Sequence, residues 1–276
     1  EAELKNSQVV VLPVPYEATT SYAKGTALGP KAILAASSQV EFYDEETKLE
    51  PYLLGIHTAA SLDFAGCSPS ESMQVIENSV ANFAKMGKLP LLLGGEHTIT
   101  APAVRGVAQA HSDITVVQFD AHADLRQDYE GTTLSHAAVM ARVRENFPAV
   151  QIGVRALCQE EAAWIERDNL PVYFQHQLKP GWIEQALAAV NTDKIYLTID
   201  VDVLDSSVMP ETGTPEPGGM LYRDLLAALY KIMSHKTVVG IDIVEYMPRT
   251  DRHASALLAA RLAAKCLAYW QFTKQA

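Results

Sequence analysis

Five short, almost unbroken apolar runs constrain this chain more than any other feature: "VVVLPV" from Val9, "LPLLLGG" from Leu89, "ITVVQFD" from Ile114, "KIYLTIDVD" from Lys194 and "TVVGIDIVE" from Thr237. A strand with one face in water alternates apolar with polar residues, whereas a strand covered on both faces does not. Continuous runs therefore predict a parallel sheet buried between helices. Weaker strand candidates are "YLLGIHTA" from Tyr52, "VQIGVR" from Val150 and "PVYF" from Pro171. Between the runs, "SESMQVIENSVANFAKM", "LSHAAVMARVREN", "QEEAAWIERD", "GWIEQALAAV" and "YRDLLAALYKIM" carry the three-to-four-residue apolar spacing of helices packed on a sheet. The last stretch, "SALLAARLAAKCLAYWQF", is apolar nearly all round and predicts a buried terminal helix.

No linker, low-complexity tract or internal repeat interrupts the pattern, so residues 1–276 are expected to form one doubly wound α/β domain. Its architecture should be three-layer α/β/α, with a mostly parallel sheet of about eight strands. In such sheets ligands bind beyond the carboxyl ends of the strands, so the chemistry should sit where the apolar runs finish. The balance of 22 basic against 33 acidic residues, a formal charge of -11, argues against nucleic acid or an anionic membrane as main partner and fits a cationic substrate. Cys67, Cys158 and Cys266 lie far apart and form no CxxC pair, as expected of reduced thiols in the cytoplasm. No apolar run reaches the roughly 20 residues of a membrane helix, and the opening "EAELKNSQ" has no signal-peptide pattern.

The runs finish on chemistry. "LLLGGEHTIT" delivers His97 after a Gly-Gly turn, "VVQFDAHAD" delivers Asp120, His122 and Asp124, "YLTIDVDVLD" delivers Asp200 and Asp202, and "IDIVE" adds Asp242 and Glu245. In an extended segment alternate side chains share a face, so Asp120, His122 and Asp124 could reach one object. A lone Asp at a strand end is usually a helix cap or turn former. Four aspartates at one sheet edge, however, would repel one another and raise their pKa values, which two divalent cations would offset. Oxygen-rich coordination supplemented by imidazole favours Mn²⁺ over a structural zinc site. Two such ions could share a water, lower its pKa and present a nucleophile near neutral pH.

Together, "GGEHTIT", "FDAHADLR", "LSHAAV" and "TIDVDVLDSSVMPETGTPEPGG" resemble the ureohydrolase family of arginases and agmatinases, above all its agmatinase branch. "PYEATTSYAKGTALGPKAILAAS" is similar to the opening segment of that branch. The resemblance implies an arginase-like fold holding two Mn²⁺ per subunit, with Asp120 and Asp200 bridging the ions. His97 and Asp124 would complete one site, and His122 and Asp202 the other. It further implies that His136 shuttles protons near the mouth of the site, that Asp124 takes part in proton transfer and that Glu245 binds the guanidinium, which a carboxylate can hold as a bidentate pair. The loop around Thr214 would line the site, with Pro215, Pro217, Gly218 and Gly219 shaping its backbone. The implied reaction is hydrolysis of a guanidino compound to urea and a primary amine without an organic cofactor. The implied assembly is a homo-oligomer, a trimer or hexamer.

Three positions depart from the family pattern: Glu96 stands where Asp is common, Ala137 where Gly is common after the shuttle His, and Tyr246 interrupts the commoner VEV-x-P form. The last predicts an altered pocket for the substrate tail, because it adjoins Glu245. Asp128 and Glu130, in "RQDYEGTTLS", either solvate an exposed loop or face the far end of the substrate. In the second case they favour an amine tail, making agmatine the expected substrate over arginine. Aminopropylagmatine would satisfy the same electrostatics; guanidinobutyrate and guanidine are further alternatives. The rival classes are a deacetylase of related fold using one metal, for which His97 and Asp124 would be superfluous, and a non-catalytic binding member.

Overall fold

A computed structural model describes residues 1–249 and 253–275. The strands are β1 (Val9–Val14), β2 (Ile56–Thr58), β3 (Leu89–Gly94), β4 (Ile114–Phe119), β5 (Ala149–Val154), β6 (Val172–Phe174), β7 (Lys194–Asp200) and β8 (Thr237–Val244). They form one eight-stranded sheet in the order β2-β1-β3-β8-β7-β4-β5-β6. Every pairing between these strands is parallel, a stricter arrangement than the expected mostly parallel sheet. The five strongest runs form the contiguous central block β1-β3-β8-β7-β4, and the weaker candidates became the outer β2, β5 and β6.

The reason for the unbroken apolar runs is visible along each strand. Val9 and Val11 of β1 enter one core while Leu12 and Val14 enter the other; Leu91 and Leu93 of β3 face one side and Leu92 the opposite side. Helices α1 (Gly29–Ser37), α6 (Trp182–Ala189), α7 (Tyr222–Met233) and α8 (Ala254–Gln275) cover the first core. Helices α2 (Pro69–Lys85), α3 (Thr100–Ala108), α4 (Val139–Arg144) and α5 (Gln159–Asp168) cover the second. Both faces are covered by helices, so the strands have no solvent side to drive polar alternation.

Helix α2 starts with a capping box, in which the Ser68 hydroxyl accepts the Glu71 N–H and the Glu71 carboxylate accepts the Ser68 N–H. Helix α3 was not foreseen, because Pro102 and Gly106 weaken its pattern. Pro102 stands in the first turn, where a missing N–H costs nothing. Gly106 is required by packing: a Cβ there would lie 2.6 Å from the Glu77 carbonyl oxygen of α2. The "LSHAAVMARVREN" helix is shorter than its pattern, since His136–Ala138 form a 3₁₀ turn before α4 begins.

Candidate metal centre

Strands β3, β8, β7 and β4 are neighbours in the middle of the sheet, and their carboxyl ends bring together residues separated by up to 148 positions. The turn after β3 presents His97. Its Gly95 is held under the β1 end, where the Tyr16 carbonyl accepts the Glu96 N–H at 2.9 Å. A Cβ on Gly95 would sit 2.1 Å from that oxygen, so the "GG" before Glu96 is a steric requirement.

Asp120, His122 and Asp124 do converge, although not by strand alternation. Strand β4 stops at Phe119, and the Asp120 carboxylate accepts the His122 N–H at 2.6 Å, turning the chain. Asp124 then adopts a left-handed backbone, φ 52°. Asp200, the last residue of β7, likewise accepts the Asp202 N–H at 2.9 Å and starts a 3₁₀ turn. Glu245 also has positive φ, 65°, and receives the His97 N–H at 2.7 Å. Non-glycine residues in this conformation are costly and concentrate where function holds them.

The six side chains proposed from sequence as metal ligands meet at one place. His97 Nδ1 lies 3.0 Å from Asp120, 3.1 Å from Asp124 and 3.4 Å from Asp200, and His122 Nδ1 lies 2.9 Å from Asp202 and 3.6 Å from Asp120. Yet His97 Nδ1 and Asp202 Oδ2, both buried, have no partner in hydrogen-bonding geometry. Orphaned buried polar atoms are costly, and here each lies within 3.0 Å of another of the six side chains without the geometry of a hydrogen bond. Two sets, His97 with Asp120 and Asp200, and Asp120 with His122 and Asp202, each gather their donor atoms within 4.8 Å. Asp120 belongs to both sets, so the arrangement fits two cations sharing one carboxylate.

Electrostatics point the same way. Burial, followed by the charges of Asp202 and Asp120, pushes Asp200 well above the usual carboxylate range. Burial and the Asp120 charge raise Asp124 to about 7. Burial also raises Glu245, with Glu96 adding to the effect. Asp120 moves down: burial opposes its charge, but the close imidazoles of His122 and His97 outweigh it. Both histidines lie above the imidazole range despite burial, because carboxylates surround them. Without a cation the centre keeps protons that a divalent ion would displace.

His136, Ala137, Thr214 and Glu245 line a cavity of about 240 Å³ over this centre, with Tyr129 and Glu216 at its sides. Burial holds His136 below the ordinary imidazole range, the nearby charges adding smaller and opposing effects. Asp128 lies elsewhere, in an adjoining hollow that shares Arg126 and Glu161 with the cavity. Tyr246 packs into a hydrophobic core and does not line the cavity, so the altered tail pocket expected from that departure has no basis in its position. A larger, mostly apolar hollow of about 530 Å³ lies between α1 and α8, far in chemistry from the cluster.

Several supporting residues escaped the sequence reading. Thr198, inside β7, holds His97 Nε2 at 2.8 Å and donates to Asp242 at 2.6 Å. Asp242, named from sequence with the other strand-end acids, accepts from Thr100 and Tyr196 as well, so it anchors the histidine's support and stands outside the cluster. Gln118 donates to Asp120 at 2.6 Å and is itself fixed by Gln151. Arg155 ties two segments together, donating to the carbonyls of Asp202 and Leu204 and to those of Glu216 and Pro217. The only available signal was a polar residue inside an apolar run, as at Gln118 and Thr198.

Residues 7–269 match the model of the arginase family, and the chain belongs to that family. An N(1)-aminopropylagmatine ureohydrolase of Synechocystis sp. is 42% identical over 96% of this chain and 90% of its own length. An agmatinase of Bacillus subtilis is 30% identical over 90% of this chain and 87% of its own. The agmatine ureohydrolase of Thermoplasma volcanium superposes with a TM-score of 0.89 at 27% identity, covering 99% of this chain and 93% of that one.

Proposed function

We propose that the chain hydrolyses the guanidino group of a small cationic compound to urea and a primary amine, using two Mn²⁺ held by His97, Asp120, Asp124, His122, Asp200 and Asp202. The observation that carries this reading is the buried, unpartnered pair His97 Nδ1 and Asp202 Oδ2, set among four aspartates that share one sheet edge. Bound there, the ions would supply water of lowered pKa and charge stabilisation at neutral pH.

The protein's own groups do the rest. Glu245, fixed by the His97 N–H, receives the guanidinium and orients its carbon toward the cluster. Asp124, beside His97 at 3.1 Å and lining the cavity, takes a proton and returns it to the departing nitrogen as the C–N bond breaks. His136, at the cavity, exchanges that proton with solvent. Thr214 confines the substrate from the loop side.

Agmatine, expected from sequence, becomes the second reading, supported by agmatinase relatives at 30–32% identity. Aminopropylagmatine is favoured by the 42% identical relative. Glu216 at the cavity wall and Asp128, Glu160 and Asp168 in the adjoining hollow would accommodate its longer cationic tail. Urea release from the Mn²⁺-loaded protein should show the highest kcat/KM with aminopropylagmatine, then agmatine, with arginine and guanidinobutyrate poorest. Preference for a carboxylate-tailed compound would overturn the tail assignment, and no urea from any of them would overturn the hydrolase.

A further inference from the structure

Glu96 is completely buried, and its carboxylate is fully occupied. Oε2 accepts the main-chain N–H groups of Ala18 and Thr19, both at 2.7 Å, while Oε1 accepts the hydroxyls of Thr98 at 2.5 Å and Thr19 at 2.8 Å. Thr19 Oγ1 also lies 3.1 Å from His136 Nδ1 and accepts the His136 main-chain N–H at 3.2 Å. A hydroxyl has one proton to donate, and the Glu96 carboxylate is the acceptor in all four of its contacts. The Thr19 proton is committed to Glu96, so toward the imidazole Thr19 can act only as acceptor. Nδ1 must then carry the ring proton of neutral His136.

We infer that Glu96, acting through Thr19, is a positioning residue that fixes His136 as the Nδ1–H tautomer and leaves Nε2 to exchange protons at the cavity. The inference rests on the proposed role of His136 as the proton-exchanging group. Among the described residues no protein group hydrogen-bonds Nε2, and the only competing contact at Nδ1 is Ser135 Oγ at 3.5 Å, the outer limit of a hydrogen bond. Tyr129 meets the imidazole edge to face at 5.6 Å and closes off another side. The device uses the segment around Thr19, 77 positions before Glu96, so that loop orients the imidazole without itself carrying the proton.

The experiment compares Thr19→Val, which keeps the shape and removes the hydroxyl, with Thr19→Ser, which restores it. Nitrogen-15 NMR of histidine-labelled, metal-free protein at pH 8 reads the tautomer, with the His136 signals assigned by their loss in His136→Asn. Steady-state urea release with Mn²⁺ reads kcat and KM separately. The expected result is Nδ1–H in the parent chain, a mixed or Nε2–H population in Thr19→Val, and recovery in Thr19→Ser. In parallel, kcat should fall by about 10- to 100-fold in Thr19→Val, within the roughly 10²–10⁴-fold a general acid–base group contributes. KM and bound metal should stay unchanged, and Thr19→Ser should restore kcat. An unaltered tautomer in Thr19→Val, or a parent signal from Nε2–H, overturns the inference even if no urea is formed. Undiminished urea release by His136→Asn would instead overturn the role of His136 on which it rests.

Discussion

At the scale of single residues, the cluster depends on side chains one step removed from it. Thr198 holds the outer nitrogen of His97 and is itself held by Asp242, so the ring cannot rotate away from the aspartates. Thr198→Val keeps the β-branched shape and removes the hydroxyl. Metal affinity, measured by competition with a chelating dye, should fall about 10- to 100-fold while the far-ultraviolet spectrum stays unchanged. Equal affinity would mean that the His97 orientation is set by packing alone. The identities of the cluster residues were legible in sequence because each stands at the end of an apolar run. Their support was not, since Gln118 and Thr198 look like ordinary interruptions of a strand until the neighbouring strand is known, and Asp242, picked out with the strand-end acids, turned out to brace Thr198 instead of joining the cluster.

At the scale of elements, β7 and its following turn must keep register with the loop that carries Thr214. Arg155, just after β5, makes that link through a set of main-chain carbonyls on both segments. Arg155→Met preserves much of the stem and removes these bonds, leaving carbonyls without donors. A stability loss on the order of 2 kcal/mol is expected from urea unfolding, given about 1.5–3 kcal/mol for hydrogen bonds to a charged group. KM should rise more than metal binding weakens, because the Thr214 loop, proposed to confine the substrate, is released while the carboxylates remain. The eight strands were readable from apolar runs, yet α3 was hidden by Pro102 and Gly106, whose places are justified only by a helix start and by contact with α2. The alternating geometry inferred for Asp120, His122 and Asp124 also gave way, because hydrogen bonding by the first Asp turns the chain immediately.

At the scale of the whole molecule, one sheet edge concentrates charge that the fold alone does not neutralise. His97, His122 and Asp200 have raised pKa values, and Asp124 lies at about 7, so the metal-free centre retains protons near neutrality. A raised folded-state pKa stabilises the metal-free fold below the group's unfolded value, and that contribution fades as pH rises through the folded value. Asp120, shifted downward, acts in the opposite sense, but only in the acid range. Metal binding must therefore release protons and tighten as pH rises from 6 to 8, which calorimetry in buffers of different ionisation enthalpy will register. Metal uptake without proton release would contradict this picture. The sheet and its aspartate-bearing edge were legible because strand burial and charge pattern are written locally, whereas the cavity wall joins Ser21, Tyr129, Leu157 and Glu216 from separate loops. Two ions acting together in guanidino hydrolysis would make urea release depend on both, which a titration of Mn²⁺ per chain from zero will show. Turnover of aminopropylagmatine should climb steeply only as the second equivalent binds and level off at two, whereas a plateau at one would contradict the two-ion centre.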